Sequence, residues 1–157
     1  ITPPLNLNLA PKASCYGTLT GDSAQDYISL SKIFAKKDFK NALNLSSDLS
    51  LLNPHNAEIN YMHSQILKKN GKHKEAQVFA EKALIYDCQR IYGNKVYNTI
   101  LKKVAKKYKV QYFDFHQFLY DTSQENTVFL DDIYPQDVYF NQLIDKLSTV
   151  IKAKLRL

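Results

Sequence analysis

Asp114 and His116 are the two residues whose types and spacing come nearest to an acid–base pair. They stand two positions apart at the end of the apolar run Val110–Phe115. A carboxylate and an imidazole in contact can move protons near neutral pH, because the imidazole titrates in that range. At the end of a strand, however, such residues more often cap or turn the following loop. We therefore expect a structural role for both.

The other histidines and the cysteines do not have the spacing of a metal site. His55 and His63 are eight residues apart on one expected helix, and His73 is on the next. Zinc-binding helices instead place two histidines four residues apart. Cys15 and Cys88 lie outside any Cys-x-x-Cys or Cys–His spacing. We expect no metal and no other cofactor.

The two cysteines leave their redox state open. Cys15 and Cys88 flank the central part of the chain. They can form a disulfide in an oxidising compartment or remain as two thiols, because a sequence does not show their geometry. The cysteines and the proline-rich start Ile1–Pro4 favour an extracytoplasmic location weakly, and the compartment stays open. Because the chain opens on Ile1 rather than Met, we expect a processed form or a segment of a longer protein.

The net charge of +6 raises the possibility of polyanion binding. The excess is concentrated in residues 101–109, which read as an amphipathic helix. We expect one face to be solvated and the other to be buried: Lys102, Lys103, Lys106, Lys107 and Lys109 outside, and Ile100, Leu101, Val104 and Ala105 inside. No arginine-rich or glycine-rich segment accompanies the lysines, so nucleic-acid binding is a minor option. No apolar run approaches the ~20 residues of a membrane span.

The elements that would position these residues are mostly helices. Apolar residues recur at helical spacing in four consecutive stretches between about residues 23 and 87. Asp22 or Ser23 is the expected cap of the first helix, Pro54 follows the end of the second and Gly71 the end of the third. The sequence therefore predicts two helical hairpins.

The second hairpin repeats the first at a constant offset in sequence. Phe39–Ala42 aligns with His73–Ala76, and at the same offset Lys37 aligns with Gly71. This pattern resembles the tetratricopeptide repeat, a helical hairpin of about 34 residues. In that family a small residue, such as the alanine that ends each aligned segment, lets two helices approach closely. The resemblance implies a binding scaffold whose inner helices line a groove.

Four residues on those inner helices are the candidate contacts for a peptide or protein segment: Tyr27, Asn60, Ser64 and Lys68. The sequence departs from the family at His73, where tyrosine is usual, and at Ser64, where glycine or alanine is usual. Two units are also fewer than the three that usually bury a solenoid core. The hairpins must therefore pack on the rest of the chain or on a partner.

The C-terminal third has a different pattern. We expect a helix that is capped by Asn94 and runs through Tyr108, and a last helix from about Gln136 to Lys154. Between them we expect a strand at Val110–Phe115, because that run is rich in β-formers. The expected inner face of this last helix comprises Tyr139, Phe140, Leu143, Ile144, Leu147, Val150 and Ile151. A strand needs partners, and these would come from Val128–Leu130, from the N-terminal arm around Leu5–Leu9, or from outside this chain.

This tail resembles the C-terminal part of SGNH-type hydrolases, serine esterases built on a flavodoxin-like sheet. In that family an Asp-x-x-His-Pro segment before the final helix carries the acid and base of the catalytic triad. Here Asp131 matches the acid, and Tyr134 stands in place of the histidine. Some members carry a tetratricopeptide-like insertion before this tail, which is the order of parts in this chain.

The replacement of the histidine by Tyr134 removes the base that ester hydrolysis requires in this family. A serine nucleophile needs a base with a pKa near 7, and a phenol such as that of Tyr134 titrates near ~10. Gly21-Asp22-Ser23 has the letters of the family's nucleophile turn, but a nucleophilic serine needs a buried strand before it, and Tyr16–Thr20 is too short and polar for one. The chain also shows no oxyanion-hole Gly or Asn block. We therefore expect no catalysis from this chain by itself.

The sequence thus predicts a mostly α chain with a small β component. Its expected parts are an extended arm at 1–22, tetratricopeptide-like helical hairpins at 23–90, and an incomplete flavodoxin-like, SGNH-type helix–strand–helix tail at 91–157. The expected function is a non-catalytic scaffold for a protein or peptide segment. The alternative is the C-terminal fragment of an SGNH-type esterase or acyltransferase acting on cell-surface polysaccharide. A missing N-terminal part of the same protein, or another copy of the chain, is a further possible partner.

Overall fold

The computed structural model describes residues 1–89, 95–122, 128–130 and 134–155. Within these residues the chain is mostly helical, as expected. Its helices are α1 (Gly21–Ala35), α2 (Phe39–Leu52), α3 (Ala57–Lys69), α4 (His73–Ile85), α5 (Lys95–Lys107), α6 (Phe115–Thr122) and α7 (Asp137–Leu155). The β structure in the described part of the chain is limited to two isolated antiparallel bridges, Ser14 with Asp87 and Phe129 with Pro135.

The chain forms two compact units. One comprises Leu7–Lys95 and contains α1 to α4. The other combines Ile1–Asn6 with Val96–Leu157, and it contains α6, α7 and nearly all of α5. The two ends of the chain therefore belong to the same unit.

In the unit Leu7–Lys95, each helix packs on the next, α1 on α2, α2 on α3 and α3 on α4. The connections are short, so consecutive helices form hairpins. The fully buried core of the first three helices consists of Leu30, Ala42, Leu49, Ile59 and Ile66. Ala42 is 0% exposed and Ala76 is 6% exposed, so the two alanines that were expected between the helices are both buried.

The first helix of each hairpin ends in the same backbone motif. Lys37 has φ 62° and Gly71 has φ 76°, both in the left-handed region. After α1, Lys37 N donates to Phe34 O (2.9 Å) and the next N–H to Ile33 O (3.3 Å). After α3, the equivalent bonds run from Gly71 N to Lys68 O (3.1 Å) and from the next N–H to Leu67 O (2.9 Å). This pair of bonds is the Schellman motif, and it occurs at the aligned position of both hairpins.

The helix starts agree only in part with expectation. α2 begins after Asp38, whose carboxylate accepts from Asn41 N (3.3 Å), and α3 begins after Asn56, whose Oδ1 accepts from Ile59 N (3.0 Å). The expected cap of α1 at Asp22 or Ser23 is wrong, because α1 already begins at Gly21 and both residues lie in its first turn. Asp22 still contributes there, since an acidic residue in the first turn faces the positive end of the helix dipole.

The unit with the C-terminal helices has its own core. Phe115, Leu119, Val128 and Leu143 are buried together. Around them pack Phe113, Phe118, Phe129, Tyr139 and Leu147. The expected inner face of α7 is therefore right at three of its positions, and wrong at Ile144 and Ile151, which are more than half exposed.

The expected strand at Val110–Phe115 is wrong. Residues 110–114 have no regular secondary structure, and Phe115 is the first residue of α6. Phe115, Phe118 and Leu119 are spaced as neighbours on one helix face and pack in the core together, which a strand would not allow. Asp114 Oδ1 accepts from Gln117 N (3.1 Å) and so caps α6, which confirms the structural role expected for it.

The expected orientation of α5 is also wrong. Ile100, Leu101 and Val104 are exposed rather than buried. The helix instead turns Asn98 inward, where Asn98 Nδ2 donates to Pro3 O (3.2 Å). The side of α5 that meets the N-terminal segment is therefore polar, and its apolar stripe faces solvent.

Candidate peptide-binding face

The side of α3 that carries Lys68, one of the predicted contact residues, holds a segment of the chain itself. Tyr61 and Lys68 are seven residues apart on α3, which places them on the same side of the helix. Tyr61 Oη donates to Asn8 O (3.0 Å), and Lys68 Nζ donates to Asn8 Oδ1 (3.2 Å). One residue of the N-terminal arm is therefore held by both its main chain and its side chain.

The same arm is held again beyond the end of α4. The Asp87 carboxylate accepts from Lys12 N (3.0 Å) and from Ala13 N (3.2 Å). In return, Cys15 N donates to Tyr86 O (2.8 Å), which satisfies a carbonyl group at the helix end that would otherwise lack a partner. These bonds engage the backbone of the arm, so they do not depend on its side chains.

Two further contacts complete the attachment of the arm. Ala57 N, at the first residue of α3, donates to Ser14 Oγ (3.3 Å). The structure joins Cys15 and Cys88 by a disulfide, with their Cα atoms 4.8 Å apart. Residues 8–15, which we call the arm segment, thus run along α3 to the end of α4. Sequence reasoning missed Asn8 and Asp87, because neither has a motif that signals an intramolecular anchor.

Tyr27 and Tyr61 come together next to Glu58. Burial raises the pKa of Tyr27, and the negative charge of Glu58 and the nearby Tyr61 raise it further. Burial likewise raises the pKa of Tyr61. Both phenols therefore stay protonated, and each can donate a hydrogen bond across the neutral pH range.

Lys68 is the positive group of this face. Burial lowers its pKa, and the neighbouring positive charge of Lys69 lowers it further. A half-buried ammonium group loses part of its hydration, so an oxygen acceptor such as Asn8 Oδ1 compensates it. The face therefore presents two kinds of donor, phenolic hydroxyl and ammonium, toward an extended chain.

Asn60 and Ser64 have a different place. Asn60 is 0% exposed, and its Nδ2 donates to Asn56 O (2.7 Å) and to Pro54 O (3.1 Å). Its Oδ1 has no hydrogen-bond partner among the residues that the structure describes. Ser64 is also buried, and its Oγ donates to Tyr61 O (2.6 Å). Of the four predicted contact residues, Lys68 contacts the arm, Tyr27 lies near Tyr61 and packs on the core of the first three helices, and Asn60 and Ser64 lie in the packed interior.

His63 lies inside the unit beside Ser46. His63 Nδ1 is 2.8 Å from Ser46 Oγ, and the imidazole meets the ring of Phe79 edge-on at 4.4 Å. Burial lowers the pKa of His63 to about 4, and the charge of Glu75 opposes that shift only in part. The imidazole is therefore neutral at physiological pH and serves the packing of the two hairpins.

The remaining histidines and the tail residues are dispersed. His55 packs with the rings of Tyr16 (5.2 Å) and Tyr86 (5.0 Å) next to the disulfide. Beside it an open polar cavity of about 320 Å³ is lined by residues 16–20, Ser23 and residues 52–56. Tyr134 is 60% exposed, and its carbonyl accepts from Leu130 N (2.8 Å). Asp131 lies outside the described residues.

Asp114 is a carboxylate that several groups of the C-terminal unit hydrogen-bond. Its oxygens accept from Thr2 Oγ1 (3.0 Å) and from Tyr112 Oη (3.3 Å), in addition to the cap of α6. Burial by itself would raise the pKa of Asp114, but the bonds from Gln117 N and Thr2 outweigh it, so the pKa lies below its usual value. A carboxylate held in the ionised form by structural donors is a poor proton acceptor.

The chain has no match among known proteins by any of three comparisons: no protein-family model, no curated protein and no solved structure matches it. Its function has to be inferred from its own residues. None of the described helices combines the length and the apolar composition needed to cross a membrane.

Proposed function

We propose that the unit Leu7–Lys95 is a non-catalytic scaffold that binds an extended polypeptide segment along α3. The observation that carries this proposal is the arm segment itself, which α3 and the end of α4 hold by backbone carbonyl, backbone N–H and side-chain bonds. A surface that binds an extended chain in cis has the donors and acceptors to bind another one in trans. Backbone recognition supplies affinity for many sequences, and Lys68 adds a preference for an oxygen acceptor.

The tetratricopeptide relationship is part of the proposal. Its support is the constant offset between the hairpins, which appears as the repeated left-handed residue at Lys37 and Gly71 and as the buried alanines Ala42 and Ala76. In that arrangement the first helix of each hairpin, α1 or α3, lines the binding surface, and Tyr27 and Tyr61 occupy equivalent positions on those helices. The relationship of the tail to SGNH-type hydrolases rests on the Asp131–Pro135 segment and the final helix, without a strand before it.

The test uses a variant in which the arm is held less firmly. Residues 8–13 are replaced by a Gly-Ser linker of equal length that has proline at positions 12 and 13. This linker lacks the two backbone N–H groups that donate to Asp87 and the side chain of Asn8, and it keeps the disulfide between Cys15 and Cys88. The probe is a fluorescein-labelled synthetic peptide with the sequence of residues 5–14, and binding is measured by fluorescence anisotropy. We expect saturable binding to the linker variant. We expect at least about tenfold weaker binding to the unchanged chain, because its own arm competes.

The matched variants decide whether α3 is the binding surface. In the linker variant, Tyr61→Phe together with Lys68→Gln removes two donors, one of them charged, and should weaken binding about tenfold or more. The control pair, Tyr97→Phe with Lys69→Gln, removes the same groups from exposed positions and should leave affinity unchanged. Absence of binding to the linker variant, or equal affinity in the two pairs, would contradict the proposal.

An ester assay tests the alternative of a hydrolase fragment. Tyr134 stands where the family has its histidine base, so we expect no hydrolysis of p-nitrophenyl acetate above the rate in buffer. Hydrolysis that disappears on Asp131→Asn would show that the tail is catalytic and would overturn the non-catalytic assignment.

A further inference from the structure

Helix α5 carries an apolar stripe whose side chains are about half exposed. Tyr97, Ile100, Leu101 and Val104 recur at the spacing of one helix face, and each is between 43% and 59% exposed. The only buried residue of this described helix is Asn98, on a different side. An exposed stripe of this kind marks an interaction surface rather than a solvated helix.

The rest of the helix surface is strongly basic. From Lys95 to Lys109 the sequence contains six lysines and no acidic residue. Lys102, Lys103, Lys106 and Lys107 are exposed, and on a helical projection Lys103 and Lys107 border the apolar stripe. Long lysine side chains in that position can lie along the helix while their ammonium groups extend to one side. Helix α5 therefore presents an apolar stripe with positive charge along its border.

We propose that α5 binds an anionic membrane surface and lies in its plane. The charge of the helix complements phosphate headgroups, and its apolar stripe fits the boundary between headgroups and acyl chains. A helix of 13 residues is about 20 Å long, too short to cross the ~30 Å hydrocarbon layer, so a parallel orientation is the one available to it. The ring of Tyr97 suits the same boundary, because it is apolar in its body and polar at its tip.

Charge also argues against a second copy of the chain as the partner. Lys95 is paired with Glu81 (2.7 Å), and the segment Lys95–Lys109 has no acidic residue of its own. Two copies packed stripe to stripe would therefore bring together ten further lysines, five from each copy, without an acidic residue of the segment to pair with them. Like charges at short distance oppose such a contact. An anionic lipid surface removes this repulsion and adds attraction. Each lysine close to such a surface contributes about fivefold to affinity.

The experiment is a vesicle co-sedimentation assay with the full chain. Vesicles contain either phosphatidylcholine alone or phosphatidylcholine with phosphatidylglycerol. We expect binding to the anionic vesicles that weakens as salt concentration rises, and at least about tenfold less binding to the neutral ones. Equal binding to both vesicle types, or no binding to either, would overturn the proposal.

The first pair of variants tests whether the lysines act through α5. Changing Lys102, Lys103, Lys106 and Lys107 to Gln should weaken binding to anionic vesicles at least about tenfold. The control changes four exposed lysines of the other unit, Lys32, Lys36, Lys40 and Lys74, and removes the same number of charges. If both sets weaken binding equally, the attraction is due to net charge alone and the assignment to α5 is wrong.

The second pair tests insertion of the apolar stripe. Ile100→Ala, Leu101→Ala and Val104→Ala together remove apolar area but keep a strong helix former at each position. We expect at least about tenfold weaker vesicle binding, whereas Leu51→Ala with Leu52→Ala, at exposed positions of α2, should have no effect. Unchanged binding of the triple variant would mean that the lysines bind phosphate groups without insertion. If soluble glycerophosphoglycerol then competed with the vesicles, the protein would recognise the lipid headgroup without entering the membrane, which would contradict the proposal.

Self-association is measured on the same proteins. Sedimentation velocity in the absence of vesicles should show a monomer for the unchanged chain and for the triple variant. A dimer that dissociates on the three alanine substitutions would identify a second copy as the occupant of the stripe and would overturn the assignment to a membrane surface. Circular dichroism of every variant should match that of the unchanged chain, since all substituted side chains are exposed.

Discussion

Lys37 and Gly71 offer a direct test of the equivalence of the two hairpins, on which the scaffold proposal depends. Both residues adopt left-handed φ angles, 62° and 76°, at the end of the first helix of a hairpin. For an L-residue this conformation costs about 1–2 kcal/mol, whereas glycine adopts it without that cost. Lys37 therefore carries a strain that Gly71 avoids in the same motif.

The expected magnitudes follow from that difference. Lys37→Gly removes the left-handed cost but makes the unfolded chain more flexible, which costs about 0.5–1 kcal/mol. We expect a net gain in the free energy of unfolding of about 0.5–1 kcal/mol. Gly71→Ala should lose about 1 kcal/mol. A Cβ atom added at Gly71 meets nothing within 4 Å, so that loss would come from the backbone and not from a clash.

Urea denaturation followed by far-ultraviolet circular dichroism measures both effects. The matched control is Lys36→Gly, because Lys36 has φ −76° in the right-handed region, one residue before Lys37. Glycine there should destabilise the chain by about 0.5–1 kcal/mol. If Lys37→Gly destabilises the protein as much as Lys36→Gly does, the two hairpins do not end their first helices in the same way, and the repeat interpretation fails.

Three further outcomes are expected. His63 has a pKa of about 4 in the folded state and 6.5 in the unfolded state, so between these pH values the unfolded state binds more protons. The free energy of unfolding should therefore fall by up to about 3 kcal/mol as pH drops from 6.5 to 4. Urea titrations of His63→Gln should lack this pH dependence. Leu30→Ala should cost about 3 kcal/mol in thermal or urea unfolding because Leu30 is fully buried, whereas Leu51→Ala, at a 76% exposed position, should change stability by less than about 0.5 kcal/mol. Changing Cys15 and Cys88 to Ser should lower the free energy of unfolding by about 4 kcal/mol, because the disulfide closes a loop across a sequence separation of 73; an unchanged urea midpoint would show that the bond does not constrain the unfolded chain.

The first four helices are readily predictable because their signals are local. Pro54 and Gly71 stand just beyond helix ends, and apolar residues recur at helical spacing between them. The left-handed φ of Lys37 is not predictable from its neighbours in sequence, since lysine itself does not favour that conformation. Only the alignment of Lys37 with Gly71, at the same offset as the rest of the two hairpins, indicates it.

The tail shows why composition alone misleads. Val110–Phe115 is rich in β-formers, and that favours a strand, but aromatic residues also pack well on a helix whose neighbours lie three and four positions on. The signal for α6 was present in Asp114, a good N-cap residue, with Gln117 three positions later. The orientation of α5 was not predictable in the same way, because periodicity identifies an apolar face but not what covers it.

The candidate site was predictable only as a surface. The repeat pattern selected α3 and, on it, Lys68, but it selected Asn60 and Ser64 as well, although they point into the interior. Helical spacing does not show whether a small polar residue faces the interior or solvent. In either place its side chain can hydrogen-bond to the backbone of its own helix. The bond from Lys68 to Asn8 joins residues 60 positions apart in the sequence, and no local pattern encodes it.

The arm segment also explains how two hairpins can form a stable unit. Repeat arrays need a cover at their ends, and two repeats bury less than three do. Here the arm bonds to α3, and Cys15 N satisfies the carbonyl group of Tyr86 beyond α4, while Leu19 packs on the core of the first three helices. In the scaffold that we propose, the arm segment both stabilises the unit and occupies the binding face. A peptide in trans would then have to displace a segment tethered at Cys15, and its apparent affinity would be reduced in proportion to the fraction of molecules whose face is open. Binding and stability are in this way coupled through one segment, and a variant that frees the face should bind more tightly and unfold more easily.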